Sequence, residues 1–328
     1  RGSTAIELLR DADVAMYAAK AAGKGGWRQF EPSMHESVRR RLELKGALER
    51  AIAGGEFVLH YQPIVDMATG SVRGMEALVR WIHPERGIVS PSEFIPLAEE
   101  TGLIVPLGRW VLREACRAAV ALESLGGDIP YMSVNLSPRQ LQQAELVGEI
   151  EQIIAETGVT AARLVLEVTE SAVMRDTDLM VTRLRSLRAL GIRIAIDDFG
   201  TGYSSLNYLR QLPVDVVKID QSFVTGIVHD AAQRAVVAAI IDLGHLLGLV
   251  LIAEGIELAE QSEVLDQLGC DLGQGYLWAR PLEIDAVVDY TLATRSGSTG
   301  QVTDRDHRAV VASRPAPQSA PEPTMSAG

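Results

Sequence analysis

The residues of this sequence that could do chemistry stand where short apolar runs end. Val134-Asn135 closes one run and Leu166-Glu167 the next, with Glu170 one turn on. Ile196-Asp197-Asp198, Lys218 with Asp220, and Ala253-Glu254 with Glu257 follow in the same manner. Gln274 lies in the last run, and Glu76 lies inside the second, between Met75 and Ala77-Leu78. Carboxylates gathered at one mouth repel one another and are protonated at a cost unless a cation stands among them. A donor set of carboxylates and amide, all oxygen, selects hard divalent ions such as Mg2+ or Mn2+. Adjacent Asp197 and Asp198 could bridge two ions or divide between them, and two metals about 3.5–4 Å apart suit in-line displacement at phosphorus. Lys218, a lone cation among these acids, could position a water or neutralise a phosphate oxygen.

Any one acid at a strand end also reads as a helix N-cap or a surface charge, and the Asp197-Asp198-Phe199-Gly200 stretch as a simple turn. That explanation must hold at several strand ends together, and it does not extend so far. Other chemistries find no support. His229-Asp230 is a lone dipeptide, and His35, His60, His83, His245 and His307 show no ligand spacing. No Ser-His-Asp or Cys-His arrangement is visible, and the glycines around Lys24 lack phosphate-loop spacing.

A repeating unit must position the acids. Strand-like runs near residues 57–65, 72–81, 131–136, 164–168, 192–196, 214–219, 249–253 and 272–277 mostly alternate with helical patterns. Alternation of this kind makes a parallel sheet, and eight units close a barrel whose chemistry gathers at the C-terminal ends of its strands. The link over residues 66–71 is shorter than the dozen or so residues of a parallel crossover, so the first two strands are expected to be antiparallel. Residues 1–30 read as a helix, with Ile6, Leu9, Val14, Met16 and Tyr17 on its apolar face, followed by a short β-like run at 27–30. The expected organisation is this segment, a charged linker helix at 31–53, the barrel at 54–294 and a disordered Ser-, Gly-, Ala- and Pro-rich tail at 295–328.

Composition bounds the function. With 328 residues and 47% hydrophobic content, the chain has ample core. Against 31 Lys and Arg stand 43 Asp and Glu, a formal charge of −12, which argues against coating nucleic acid or a basic membrane-surface role. A phosphate ligand is still open, because a metal inverts the local field. Cys116 and Cys270 make no disulfide framework and read as reduced core thiols of a cytoplasmic protein. The apolar stretch at 235–253 is interrupted by Asp242, Gly244, His245 and Gly248, and reads as a buried helix running into a buried strand rather than a membrane span. An initial Arg1 in place of Met reads as a fragment, with any membrane or sensor region expected upstream.

From about residue 38 to 292 the sequence resembles an EAL domain, the cyclic di-GMP phosphodiesterase family. The namesake triplet is Glu76-Ala77-Leu78, inside MEALVRW. HYQPIVD follows from His60, FIPLAEETGLI from Phe94, VNLS from Val134, LEVTES from Leu166, IDDFGTGYSSL from Ile196, LPVDVVKID from Leu212, IAEGIE from Ile252 and GQGYLWARP from Gly273. Residues 1–30, with DADVAMYAAKAAGKGGW, resemble the end of a GGDEF (diguanylate cyclase) domain whose signature loop is not in this chain.

The resemblance implies an α/β fold, a modified TIM-like (β/α)8 barrel with one antiparallel strand, that hydrolyses cyclic di-GMP to linear pGpG in bacterial signalling. Glu76, Asn135, Glu167 and Asp197 match the family's metal ligands and Asp198 the ligand of a second ion, with Mg2+ or Mn2+ as the implied cofactor. Lys218 and Glu254 match the catalytic residues that hold and activate the attacking water. Glu170, counted with them, matches the acid that anchors the flexible loop at 198–206. Gln62, Leu78 and Arg80 match substrate contacts, and Glu257 and Gln274 further active-site positions; Asp220 joins them as a substrate-binding candidate. Leu258 stands where the family commonly has Thr. A homodimer through the helix after the loop, near residues 203–209, is implied as well. The rival reading is a catalytically silent cyclic di-GMP receptor; such members lose acids from this set, and here every one is present.

Overall fold

The computed structural model describes residues 4–21, 27–125, 130–174, 177–200 and 209–295. Nine strands are formed among them: β1 (Phe57–Asp66), β2 (Val72–His83), β3 (Gly87–Val89), β4 (Tyr131–Asn135), β5 (Leu164–Thr169), β6 (Arg193–Phe199), β7 (Val216–Ile219), β8 (Val250–Ala253) and β9 (Leu272–Gly273). Their order is β1-β9-β8-β7-β6-β5-β4-β2-β3, and β1 also pairs with β2, so eight strands close into a barrel and β3 hangs outside it. β1 runs antiparallel to both of its neighbours, while β2 and β4–β9 pair in parallel along the rest of the wall. This is the expected modified TIM-like barrel, with its antiparallel strand where the short 66–71 link required one.

The inside of the barrel is built by the two-residue repeat of strands. Ile64, Tyr131, Val165, Ala195, Val216, Ile252 and Leu272 form one buried apolar plug. Below it, the Arg193 guanidinium lies 4.6 Å over the Tyr131 ring. Gly74 on β2 sits opposite Tyr131, and a Cβ at Gly74 would collide with that ring. One step of two residues up each strand, every side chain is polar: Gln62, Glu76, Ser133, Glu167, Asp197, Lys218, Glu254 and Gln274. The floor is therefore oil and the next tier is a polar ring.

Outside, amphipathic helices cover the wall. Helix Ile104–Ser124 buries Leu107, Val111, Ala115, Ala118 and Leu122 at helical spacing. Helix Ser33–Gly54, stopped by Gly55 at φ 71°, buries Leu44, Ala47, Leu48 and Ala51. It is tied to its neighbours by Arg40–Glu93 (2.7 Å), Arg41–Glu100 (2.5 Å) and Arg86–Glu43 (2.8 Å). Helix Ala5–Ala21 lies against it through His35 Nε2 and Asp11 Oδ1 at 2.8 Å, and leaves Leu8, Leu9 and Met16 exposed. Two aspartates pin adjacent strand starts: Asp215 Oδ2 accepts from Ile194 N (2.9 Å), and Asp271 Oδ2 accepts from Leu251 N (2.8 Å).

Three expectations are corrected. β3 was not read from the sequence; the turn at 84–86 folds the chain back and adds a three-residue strand to β2. Residues 27–30 form no strand and pair with none of the described strands; Phe30 instead packs edge-on against His35. The last run, expected at 272–277, is a strand only over Leu272–Gly273, since the chain turns away at Gly275. The 235–253 stretch is helix Ala231–Leu246 followed by β8, and among the described residues no helix is long and apolar enough to cross a membrane. Most of the loop at 198–206, all but the last residue of the 203–209 interface segment, and the tail beyond 295 lie outside the described residues.

Gly74→Ala tests the barrel floor. Overpacking against Tyr131 is expected to destabilise the fold by about 1–3 kcal/mol, read by chemical denaturation, with Tyr131→Leu recovering part of the loss. An unchanged midpoint for Gly74→Ala would mean that the ring does not fill the floor.

Candidate functional site

Lys218 is the centre of the polar ring. Its side chain is 1% exposed, and its Nζ lies 2.5 Å from Glu254, 2.6 Å from Glu167, 3.3 Å from Glu76 and 3.7 Å from Asp197. The carboxylates are held from behind. Glu76 accepts from Asn135 Nδ2 at 2.6 Å and from Gln274 Nε2 at 2.8 Å, and Gln274 also donates to Gln62 Oε1 at 3.1 Å. Glu167 Oε1 accepts from the Ser133 hydroxyl. The ring opens into a cavity of about 340 Å3, lined among others by Leu78, Asp198, Asp220, Glu257 and Tyr276.

Strand alternation would turn Asp198 away from the mouth. A register shift between β6 and β7 at 196–199 prevents that. Asp198 takes φ 55°, the one positive φ at a non-glycine among the described residues, and its N–H donates to Asp197 Oδ1 at 2.9 Å. A bulge of this kind re-aims side chains, and here both acids reach the cavity while Phe199 returns to the core. Glu170, at the start of a short helix after β5, accepts from Gly200 N at 3.0 Å and so ties the end of β6.

The electrostatics follow from burial. Burial drives Glu167 well above the ordinary carboxylate range, and Glu76, Asp197 and Glu254 add to this against the pull of Lys218. Burial also pushes Glu254 up to about 8, opposed by Lys218 and reinforced by Asp197 and Glu76. At Glu76 burial is outweighed by Lys218 and the hydrogen bonds from Gln274 and Asn135, so its carboxyl falls below 4.5. Burial would strip Lys218 of its proton, but the surrounding acids hold it well above its usual value. Asp198 is raised by burial and then by Asp197 and Asp220.

One ammonium thus faces four carboxylates, and the set would accept more positive charge. As the side chains stand, no three acid, His or Cys groups among the described residues are gathered to grip one ion; Lys218 Nζ stands where the carboxylates converge. The donor chemistry, carboxylate and amide oxygens around a deep polar ring, fits a hard divalent cation. Buried Gln274 Oε1 has no hydrogen-bond partner among the described residues.

The structure brings together Glu76, Glu167, Asp197, Lys218, Glu254, Gln62 and Gln274 in the ring, with Asn135, Leu78, Asp198, Asp220 and Glu257 above it. Asp220 is also a helix N-cap, accepting from Ser222 N at 3.0 Å. Arg80 does not line the cavity; it stands two residues beyond Leu78 with Nη1 on Val79 O at 2.9 Å. The sequence reading missed Ser133, Tyr276 and two glycines. Ser133 was detectable, since it precedes Asn135 by two residues and shares its face. Gly275 backs the cavity where any Cβ would collide with the Ile256 backbone, and Gly255 takes φ 67° where a Cβ would lie 2.5 Å from that of Gln221.

The raised carboxyls set a pH dependence. Between about 4.5 and about 8 the folded chain keeps a proton on Glu254 that the unfolded chain has released, and burial shifts Glu167 in the same direction. Folding therefore binds protons in this window, and this contribution to stability falls as pH rises through it. The metal-free chain is expected to melt lower at pH 8 than at pH 6, and Glu254→Gln to flatten that slope. An equal slope in the variant would contradict the assignment.

The EAL domain family model matches residues 45–281. The bifunctional diguanylate cyclase/cyclic di-GMP phosphodiesterase MucR of Pseudomonas aeruginosa is 44% identical over 288 residues, 88% of this chain and 42% of that protein. The cyclic di-GMP phosphodiesterase NbdA of the same organism is 40% identical over 294 residues, 90% of this chain and 38% of that protein. The chain thus spans well under half the length of these two relatives. Among solved structures, the PaMucR phosphodiesterase in complex with c-di-GMP is 44% identical with a TM-score of 0.72, over 75% of this chain and 99% of that one. The FimX EAL domain from Pseudomonas aeruginosa bound to c-di-GMP is 25% identical with a TM-score of 0.66, over 73% of this chain and 96% of that one. A family match across most of the chain and a barrel whose polar ring carries the Glu76-Ala77-Leu78 triplet agree: this chain belongs to the EAL domain family.

Proposed function

We propose that this chain is a metal-dependent phosphodiesterase that hydrolyses cyclic di-GMP to linear pGpG. The observation that carries the reading is four carboxylates about one buried ammonium, opening into a cavity of about 340 Å3. Glu76, Asn135, Glu167 and Asp197 would hold one Mg2+ or Mn2+, and Asp198 a second. Bound there, such ions would neutralise a phosphodiester's charge and lower the pKa of a water towards neutrality.

The chain's own groups do the rest. Lys218 holds the attacking water and balances the charge of the acids. Glu254 takes that water's proton; the cations that would sit beside it favour the ionised carboxylate that a general base requires. Gln62, Leu78, Asp220, Glu257 and Gln274 line the cavity and meet the nucleotide, and Arg80, two residues beyond Leu78 and outside that lining, is kept as a substrate contact by likeness to the family. Glu170 anchors the loop that begins at Asp198 through its bond to Gly200. The names of MucR and NbdA as cyclic di-GMP phosphodiesterases, and the c-di-GMP held by the PaMucR structure, support the same substrate.

Residues 1–30 are read as the end of a GGDEF domain, supported by the exposed apolar side chains of helix Ala5–Ala21 and by the bifunctional name of MucR. The same reading puts the protein in the cytoplasm and in a homodimer formed near residues 203–209.

The test is hydrolysis of cyclic di-GMP by the chain with Mg2+, with Mn2+ and with EDTA. Metal-dependent release of pGpG is expected, and Glu76→Gln or Asp197→Asn should lower kcat about a hundredfold or more. Full activity in either variant would sink the mechanism. Tight binding without turnover would make the chain a receptor instead.

A further inference from the structure

The polar ring has one member that the proposed chemistry leaves idle. Seven of its eight positions carry acids, amides or Lys218; the eighth is Ser133, on β4 and 1% exposed. Directly below it the plug is apolar. Tyr131, Val165 and Ala195 need no hydroxyl as a neighbour, and alanine would pack there as well. Yet the Ser133 hydroxyl donates to Glu167 Oε1, while Lys218 Nζ donates to Glu167 Oε2 at 2.6 Å. Both oxygens of a carboxylate that is itself 1% exposed are thus held from the two sides of its own strand β5, one from β4 and the other from β7. Glu167 and Ser133 have no freedom to find other partners, because neither side chain reaches solvent.

We propose that Ser133 is a positioning residue for Glu167: its hydroxyl fixes the rotation of that carboxylate so that Oε2 faces the centre of the mouth, where a divalent cation is to be held. The inference rests on reading the ring as a cation site. Lys218 cannot supply the same restraint alone. Its Nζ is shared among four carboxylates, and any cation entering the ring competes for those contacts. The Ser133 hydroxyl bonds the other oxygen of Glu167, Oε1, away from Lys218, so its hold survives that competition. A neighbour that orients a ligating group through hydrogen bonding commonly changes metal affinity about 10–100-fold when removed.

The experiment compares the full chain with Ser133→Ala, Ser133→Cys and Ser133→Thr. Cysteine keeps the volume with a weak donor, and threonine keeps the hydroxyl. MnCl2 binding is read by calorimetry, melting is read in EDTA, and cyclic di-GMP hydrolysis is read against Mn2+ concentration. Alanine and cysteine are expected to weaken Mn2+ binding about tenfold or more and to shift the Mn2+ dependence of kcat by the same factor; threonine recovers most of it. Mn2+ binding by Ser133→Ala equal to that of the unaltered chain overturns the inference, and so does a loss confined to melting temperature, the mark of a packing role. An unaltered chain that binds no Mn2+ overturns both the inference and the cation reading. Mn2+ binding that depends on Ser133 in a chain without turnover supports the inference and removes only the phosphodiesterase.

Discussion

The structure depends on holding one ammonium among four carboxylates inside a closed barrel. Lys218 has almost no solvent, and burial alone would discharge it. Glu167, Glu254, Glu76 and Asp197 keep it charged, and Lys218 in turn pulls Glu76, Glu167 and Glu254 toward their ionised forms. The apolar plug below seals the barrel, so none of these groups can turn to water on that side. Glu167 and Glu254 still sit far above the ordinary carboxylate range, which means that a single positive charge does not satisfy the ring. That shortage of positive charge at the mouth is a consequence of how the barrel is built.

The same constraint explains why the site was legible in the sequence. Strands repeat every two residues, so a polar residue two steps beyond an apolar plug residue must face the mouth. Val165 to Glu167, Ala195 to Asp197, Val216 to Lys218 and Ile252 to Glu254 all obey this step. Glu76, inside its strand, reads the same way once Gly74 is seen to give room to Tyr131. The short 66–71 link made the antiparallel start of the barrel equally plain.

What escaped the sequence escaped for physical reasons. Ser133 is small and neutral, and its meaning comes from Glu167 on the next strand, 34 residues away. The bulge at Asp197-Asp198 is a matter of register between β6 and β7, which no local pattern carries. β3 depends on a free edge of β2, and the early end of β9 on Gly275 lying against the Ile256 backbone. Asp220 shows that two readings of one acid can both hold, since it caps a helix and lines the cavity. Arg80, placed with the substrate contacts by likeness to the family, stands outside the cavity lining.

The most direct test of this account is the stability of Lys218→Met, followed by chemical denaturation in EDTA and in saturating Mg2+. Removing one partner of a buried ion cluster leaves the others uncompensated, so a loss of about 3–5 kcal/mol is expected in EDTA. Mg2+ should restore more stability to the variant than it adds to the unaltered chain, because the ion then supplies the charge that Lys218 gave. Equal stability of the two chains in EDTA would contradict the account.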